Sequence, residues 1–117
     1  MIRWAQLSDV KEYLSERGME SPDELRMPAF IVDEKMLVAY VEAEPKICEV
    51  HICVKKMAVR HARRLIEDAE MFLRAQGFEA MTTAIEPKYR AAVKLVERVG
   101  FAPVGCYNNH IVYIKGI

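Results

Sequence analysis

The sequence predicts a single α/β domain, a mixed β-sheet flanked by helices, on three observations. Three runs of apolar and β-branched residues follow one another between positions 29 and 54, separated by turn residues, as in an antiparallel meander. Two strand–helix units come next, and each helix ends in the dipeptide Gly-Phe, at 77–78 and at 100–101. At 117 residues the chain is one domain, large enough to bury a core but too small for two domains.

Taken in order, Ile2, Trp4 and Leu7 suggest a short first strand, and Ser8 is a suitable N-cap for a helix over Asp9–Arg17. That helix places Val10, Tyr13 and Leu14 on one face, and Gly18 closes it. Ser21-Pro22-Asp23-Glu24 has the form of a capping box with proline at the first helical position, which predicts a short second helix through Leu25. From Pro28 the hydrophobic period changes. Ala29–Val32 and Met36–Glu42 read as a hairpin around Asp33-Glu34-Lys35, and Ile47–Val54 as the next strand after the turn Glu44-Pro45-Lys46.

A long helix is predicted from just after Val54 to about Gln76. Ala58, Ala62, Leu65, Ile66, Ala69, Phe72 and Leu73 form its buried stripe, and Gly77-Phe78 its cap. Ala80–Ile85 reads as a strand. Pro87 holds Glu86 extended and can open a helix carrying Ala91, Ala92, Leu95, Val96 and Val99, capped by Gly100-Phe101. Ala102–Cys106 and Ile111–Ile117 are the closing strands, joined at Asn108-Asn109. The crossover over 47–77 is expected to join parallel neighbours.

Composition narrows the function classes. About half the residues are apolar and under a third charged, as in ordinary globular domains, and no apolar run approaches the roughly 18 residues of a membrane span. No charged-then-apolar leader opens the chain. Cys48, Cys53 and Cys106 are odd in number and lack C-x-x-C spacing, which points to reduced thiols and a cytoplasmic protein. Net charge is zero but uneven: residues 1–54 carry 6 Lys/Arg against 11 Asp/Glu, residues 55–66 carry five cations and no acid, and residues 67–117 carry six of each. One local positive spot is not a nucleic-acid face, and Trp4 and the tyrosines form no stacking platform.

That spot lies where a strand runs into a helix. A helix N-terminus has unpaired N–H groups and a positive partial charge, so Lys55, Lys56, Arg60, Arg63 and Arg64 are unfavourable there unless an anion is bound. The functional reading is a phosphate-bearing ligand over 58–64; the alternative is a solvated basic face paired with nearby acids. On the preceding strand Glu49 and His51 are two residues apart and share a face, where either can serve as a general base. Cys48 and Cys53 face opposite sides, so they and His51 and His61 provide no metal-ligand set.

The order of elements and two local motifs resemble the GNAT N-acetyltransferase superfamily. Its loop Arg/Gln-x-x-Gly-x-Gly/Ala before a Leu-Leu-type helix start falls on Met57-Ala58-Val59-Arg60-His61-Ala62 ahead of Leu65-Ile66. Ala62 fits, whereas Met57 and Arg60 stand where Arg or Gln and Gly are usual. Its motif Asn-x-x-Ala-x-x-Leu-Tyr-Glu-x-x-Gly-Phe falls on 89–101. There Ala92, Leu95, Glu97, Gly100 and Phe101 fit, while Tyr89 replaces the Asn and Val96 the Tyr. The resemblance spans the chain and is nearest to small divergent members encoded by tailed bacteriophages and prophages.

The resemblance implies a GNAT-like (acyl-CoA N-acyltransferase) fold and an acetyl-CoA-dependent N-acetyltransferase acting on an unknown amine. Glu49, with His51 as second candidate, would be the base. Ile52, Cys53 and Val54 would pair by backbone with the pantetheine arm. Ala58, Val59, Arg60, His61, Ala62, Arg63 and Arg64 would hold the pyrophosphate. The competing expectation is an inactive phage protein that binds a second copy, a virion component or a host factor.

Overall fold

The computed structural model describes residues 1–117. The elements are β1 (Ile2–Trp4), α1 (Leu7–Glu16), β2 (Ala29–Val32), β3 (Met36–Glu44), β4 (Ile47–Val54), a 3-10 turn (Lys56–His61), α2 (Ala62–Ala75), β5 (Ala80–Ile85), α3 (Arg90–Arg98), β6 (Ala102–Tyr107) and β7 (His110–Gly116). The strands form one sheet in the order β1-β2-β3-β4-β5-β7-β6. Only β4 and β5 are parallel, as the crossover predicts, and every other neighbouring pair is antiparallel.

The parallel ladder is short. It pairs Ile47 with Ala80, Cys48 with Met81 and Glu49 with Thr82, and then stops, although β4 continues to Val54 and β5 to Ile85. The central strands therefore part midway along their length.

The two faces of the sheet are covered unequally. Cys48, Val50 and Val54 of β4 join a core of 20 residues with α2 and α3, in which Leu65, Ile66 and Leu73 are fully buried. Each such side chain contributes about 1.5–3 kcal/mol by leaving water. The other face carries a core of five residues under α1, with Val10 and Tyr13 against Ala29, Ile31 and Leu37. That helix reaches as far as β4, where Cys53 borders its core.

Both Gly-Phe pairs cap helices as expected. Phe78 N–H reaches the Leu73 carbonyl and Gly77 N–H the Arg74 carbonyl, and the same two bonds recur from Phe101 to Val96 and from Gly100 to Glu97. Gly77 and Gly100 have φ of +100° and +103°, which an L side chain resists, and each phenylalanine is buried behind its glycine. Asn108 and Asn109, at φ +47° and +62°, make the tight turn between β6 and β7.

Three expectations are corrected. No helix forms over Ser21–Leu25: Pro28 forces Met27 out of helical geometry, so the segment is too short to repay helix nucleation and has no apolar stripe to bury. The first helix starts at Leu7, not after Ser8; Gln6 is its N-cap and donates its N–H to Asp9 Oδ2 at 2.8 Å. The residues after Val54 wind first as a 3-10 turn. They include no Ser, Thr, Asp or Asn to cap an α-helix, and the tighter winding uses N–H groups that would otherwise be orphaned.

Arg3 braces the N-terminal end. Its guanidinium donates to Asp9 at 2.9 and 3.0 Å and to Glu34 at 2.6 and 2.8 Å. The bond from Arg3 holds the Asp9 carboxyl below its ordinary range. A depressed folded-state value means stability that is present above the unfolded carboxyl pKa and lost as pH falls through the folded one. Urea midpoints measured from about pH 5 downward should fall less steeply for Arg3→Gln than for the parent; parallel curves would show that the bridge is not linked to folding.

Candidate coenzyme-binding site

The free edge of β4 follows from hydrogen-bond parity. Lys55 N–H bonds the Lys35 carbonyl at 2.9 Å, so 55 and 35 are a hydrogen-bonded pair, and alternation along the ladder turns the backbone groups of Glu49, His51 and Cys53 toward β3. Those of Val50, Ile52 and Val54 point the other way, toward β5. Beyond the Glu49–Thr82 pair β5 no longer meets them. Ile52 and the N–H of Val54 thus form an unpaired strand edge.

The carbonyl of Val54 is engaged. Arg17, just past α1, donates to it from Nε at 3.1 Å and from Nη2. The Cys53 backbone belongs to the β3 ladder, and its thiol, pushed up by burial, lies 3.6 Å from the Tyr13 carbonyl.

At the end of this edge sits the basic turn. Ala58 and Ala62 are buried against the large core, which holds the turn close to the sheet. Met57 and Val59 are exposed beside the cations. No residue of the turn has a positive φ, so Arg60 occupies the position of the usual glycine without backbone strain. His61 precedes α2 without a side-chain cap, and the first turn of α2 holds no acid.

The cations divide into two sets. Lys55 pairs with Glu12 at 3.2 Å, Arg63 with Glu67 at 3.5 Å and Arg64 with Asp33 at 3.6 Å. The side chains of Lys56 and Arg60 have no carboxylate partner; Arg60 Nε donates only to His61 Nε2, at 3.3 Å. Three of the five charges are thus paired with carboxylates, and two face solvent.

Glu49 lies where β4 and β5 separate, half-buried, and His51 lies two residues further along the same face, exposed. Glu49 and the end of β4 are five residues apart, about 17 Å along an extended strand. Val96, which stands at the tyrosine position of the motif, is buried in the large core and offers no proton donor. Tyr89, before α3, is exposed, with Lys88 Nζ 5.2 Å from its ring.

Two surface hollows exist elsewhere. One of about 430 Å³ is lined by Pro87 and Cys106–Ile111, and one of about 400 Å³ by Met1, Ile2, Asp68, Met71 and Phe72. Neither meets the strand edge or the turn. No three His, Cys, Asp or Glu side chains gather as a metal site, and no helix is long and apolar enough to cross a membrane. Sequence reasoning missed Glu12, Glu16 and Arg17, which reach the junction from α1 over some forty positions of sequence.

A mixed seven-stranded sheet with a parallel central pair that parts midway and helices on both faces is the GNAT acyltransferase fold. Solved structures with this fold include a GNAT-family acetyltransferase from Streptococcus pneumoniae, at TM-score 0.69 and 16% identity over 100% of this chain and 98% of that one. A GNAT-superfamily phosphinothricin acetyltransferase from Sinorhizobium meliloti, solved with AcCoA, matches at 0.71 and 14% over 100% and 88%. The ribosomal-protein-S5-alanine acetyltransferase of Vibrio fischeri matches at 0.68 and 15% over 98% and 91%. No family model matches the sequence, and no curated protein does.

Proposed function

We propose that the chain is a member of the GNAT superfamily that binds acetyl-CoA along β4 and transfers its acetyl group to an amine. The observation that carries this reading is the unpaired edge of β4, leading from Glu49 to a turn with two unpartnered cations. The amide-bearing pantetheine arm can bond Ile52 and Val54 as an added strand would. The two phosphates suit the side chains of Lys56 and Arg60, the two cations of the turn without an acidic partner. The length of strand between turn and Glu49 suits an extended arm that brings the thioester to the fork. The structures with this fold include one solved with AcCoA, which supports the choice of ligand.

In this reading Glu49, or His51 as second candidate, takes a proton from the acceptor ammonium directly or through water. The freed lone pair attacks the thioester carbonyl, and the adduct nitrogen loses its second proton to solvent. Collapse breaks the carbon–sulfur bond, and the thiolate takes its proton from solvent because position 96 is an apolar core residue. The sheet face around Glu49 has no second helix over it, which leaves the acceptor amine open access.

Calorimetry with acetyl-CoA tests the reading. Binding and a ligand-dependent rise in melting temperature are expected, and Arg60→Glu should abolish both. Absence of heat at millimolar acetyl-CoA would sink the enzyme reading and leave a binding module, of phage or other origin, on the same fold.

A further inference from the structure

The end of α1 lies on the groups that the proposed ligand would use. Arg17 donates to the Val54 carbonyl, the last outward-facing carbonyl of β4. Glu16 Oε1 accepts the N–H of Lys56, the first residue of the 3-10 turn, at 3.3 Å. Glu12, one helical turn earlier, takes Lys55 Nζ at 3.2 Å. One helix end thus engages three consecutive residues of the junction through a carbonyl, an ammonium and an amide.

Local structure gives no reason for an acid at position 16. A carboxylate in the last turn of a helix meets the negative end of its dipole, and α1 has no base in that turn to offset it. The turn at Lys56 supplies the missing partner. A carboxylate accepting a backbone N–H at the start of a helical turn, beside two lysines, has the charge and the donors of a bound phosphate. The connection that follows, residues 19–28, forms neither helix nor strand and is largely exposed, so the chain beyond the helix end is not tied into the sheet.

We infer that the last turn of α1 is a built-in latch on the coenzyme groove, in which Glu16 occupies the anion position at Lys56 and Arg17 covers the Val54 carbonyl. This rests on the coenzyme reading above. A phosphate-bearing ligand enters by displacing Glu16 from the amide and freeing the strand edge, and its affinity is set against that internal carboxylate.

Calorimetry on the full chain, Glu16→Ala and Glu16→Gln, with acetyl-CoA and with inorganic pyrophosphate, tests the latch. Glu16→Ala should bind both ligands about three- to tenfold more tightly than the parent. Glu16→Gln, which keeps an acceptor but loses the charge, should gain less. Amide exchange gives a second reading: acetyl-CoA should speed exchange of residues 15–19. Equal or weaker binding by Glu16→Ala, with its melting temperature unchanged, overturns the latch, as does slower exchange at 15–19 on binding. The two ligands separate the failures. Tighter pyrophosphate binding by Glu16→Ala with no acetyl-CoA binding by either protein keeps the latch and removes the coenzyme. Equal acetyl-CoA binding by both keeps the coenzyme and removes the latch. No binding of either ligand by either protein removes both.

Discussion

Lys115→Met is expected to destabilise the fold by about 2–3 kcal/mol, and a second change, Glu70→Leu, to return most of the loss. Glu70 of α2 is the one charged residue in the buried set, at 7% exposure, and its carboxylate accepts a hydrogen bond from Lys115 Nζ of β7. Methionine keeps the apolar stem of the lysine but strands the carboxylate among core side chains. The lysine is 21% exposed along its side chain, so water can reach the vacated site, which places the loss below that of a fully enclosed pair. With both residues apolar nothing charged remains to desolvate. Chemical denaturation of the parent, the single variants and the double variant decides the matter. A Lys115→Met unfolding free energy within a few tenths of a kcal/mol of the parent's would show that Glu70 is solvated. A double variant no better than the single would show that packing, and not charge, holds α2 to β7.

Most of the fold can be read from local sequence because its signals are local. Gly-Phe at 77–78 and 100–101 needs only the preceding helical turn to act as a cap, and Asn108-Asn109 carries its own left-handed preference. The meander follows from three apolar runs of strand length. Ser21-Pro22-Asp23-Glu24 fails as a helix start because the same local rules oppose each other there, a good cap being followed six residues after Pro22 by a second proline. The site is less legible. Which β4 residues offer backbone groups to a ligand depends on register, and a slip of one residue would exchange Ile52 for Cys53. The partners of the basic cluster come from α1 and from the β2–β3 turn, and no spacing in the chain announces Glu12 with Lys55 or Asp33 with Arg64.

Glu49→Gln is expected to lower the turnover of an amine acceptor by about a hundred- to a thousandfold while leaving acetyl-CoA affinity unchanged. The split follows from position. Glu49 stands at the fork, where its backbone pairs with β3 and its strand meets β5 at Thr82, whereas the groups proposed to hold the coenzyme begin at Ile52. Glutamine preserves size and hydrogen bonding but cannot take a proton. His51→Ala is the companion variant: if it loses the activity and Glu49→Gln keeps it, the exposed histidine is the base. The pH profile adds a test of the departing thiolate. Val96, at the motif's tyrosine position, is a buried apolar residue, and in the proposed reaction the sulfur takes its proton from solvent. The rate should therefore rise with pH to a plateau, with one acidic limb that vanishes in whichever variant lacks the base. A bell-shaped profile would instead require a protein acid, and loss of its basic limb in Tyr89→Phe would identify that acid as the tyrosine standing at the motif's asparagine.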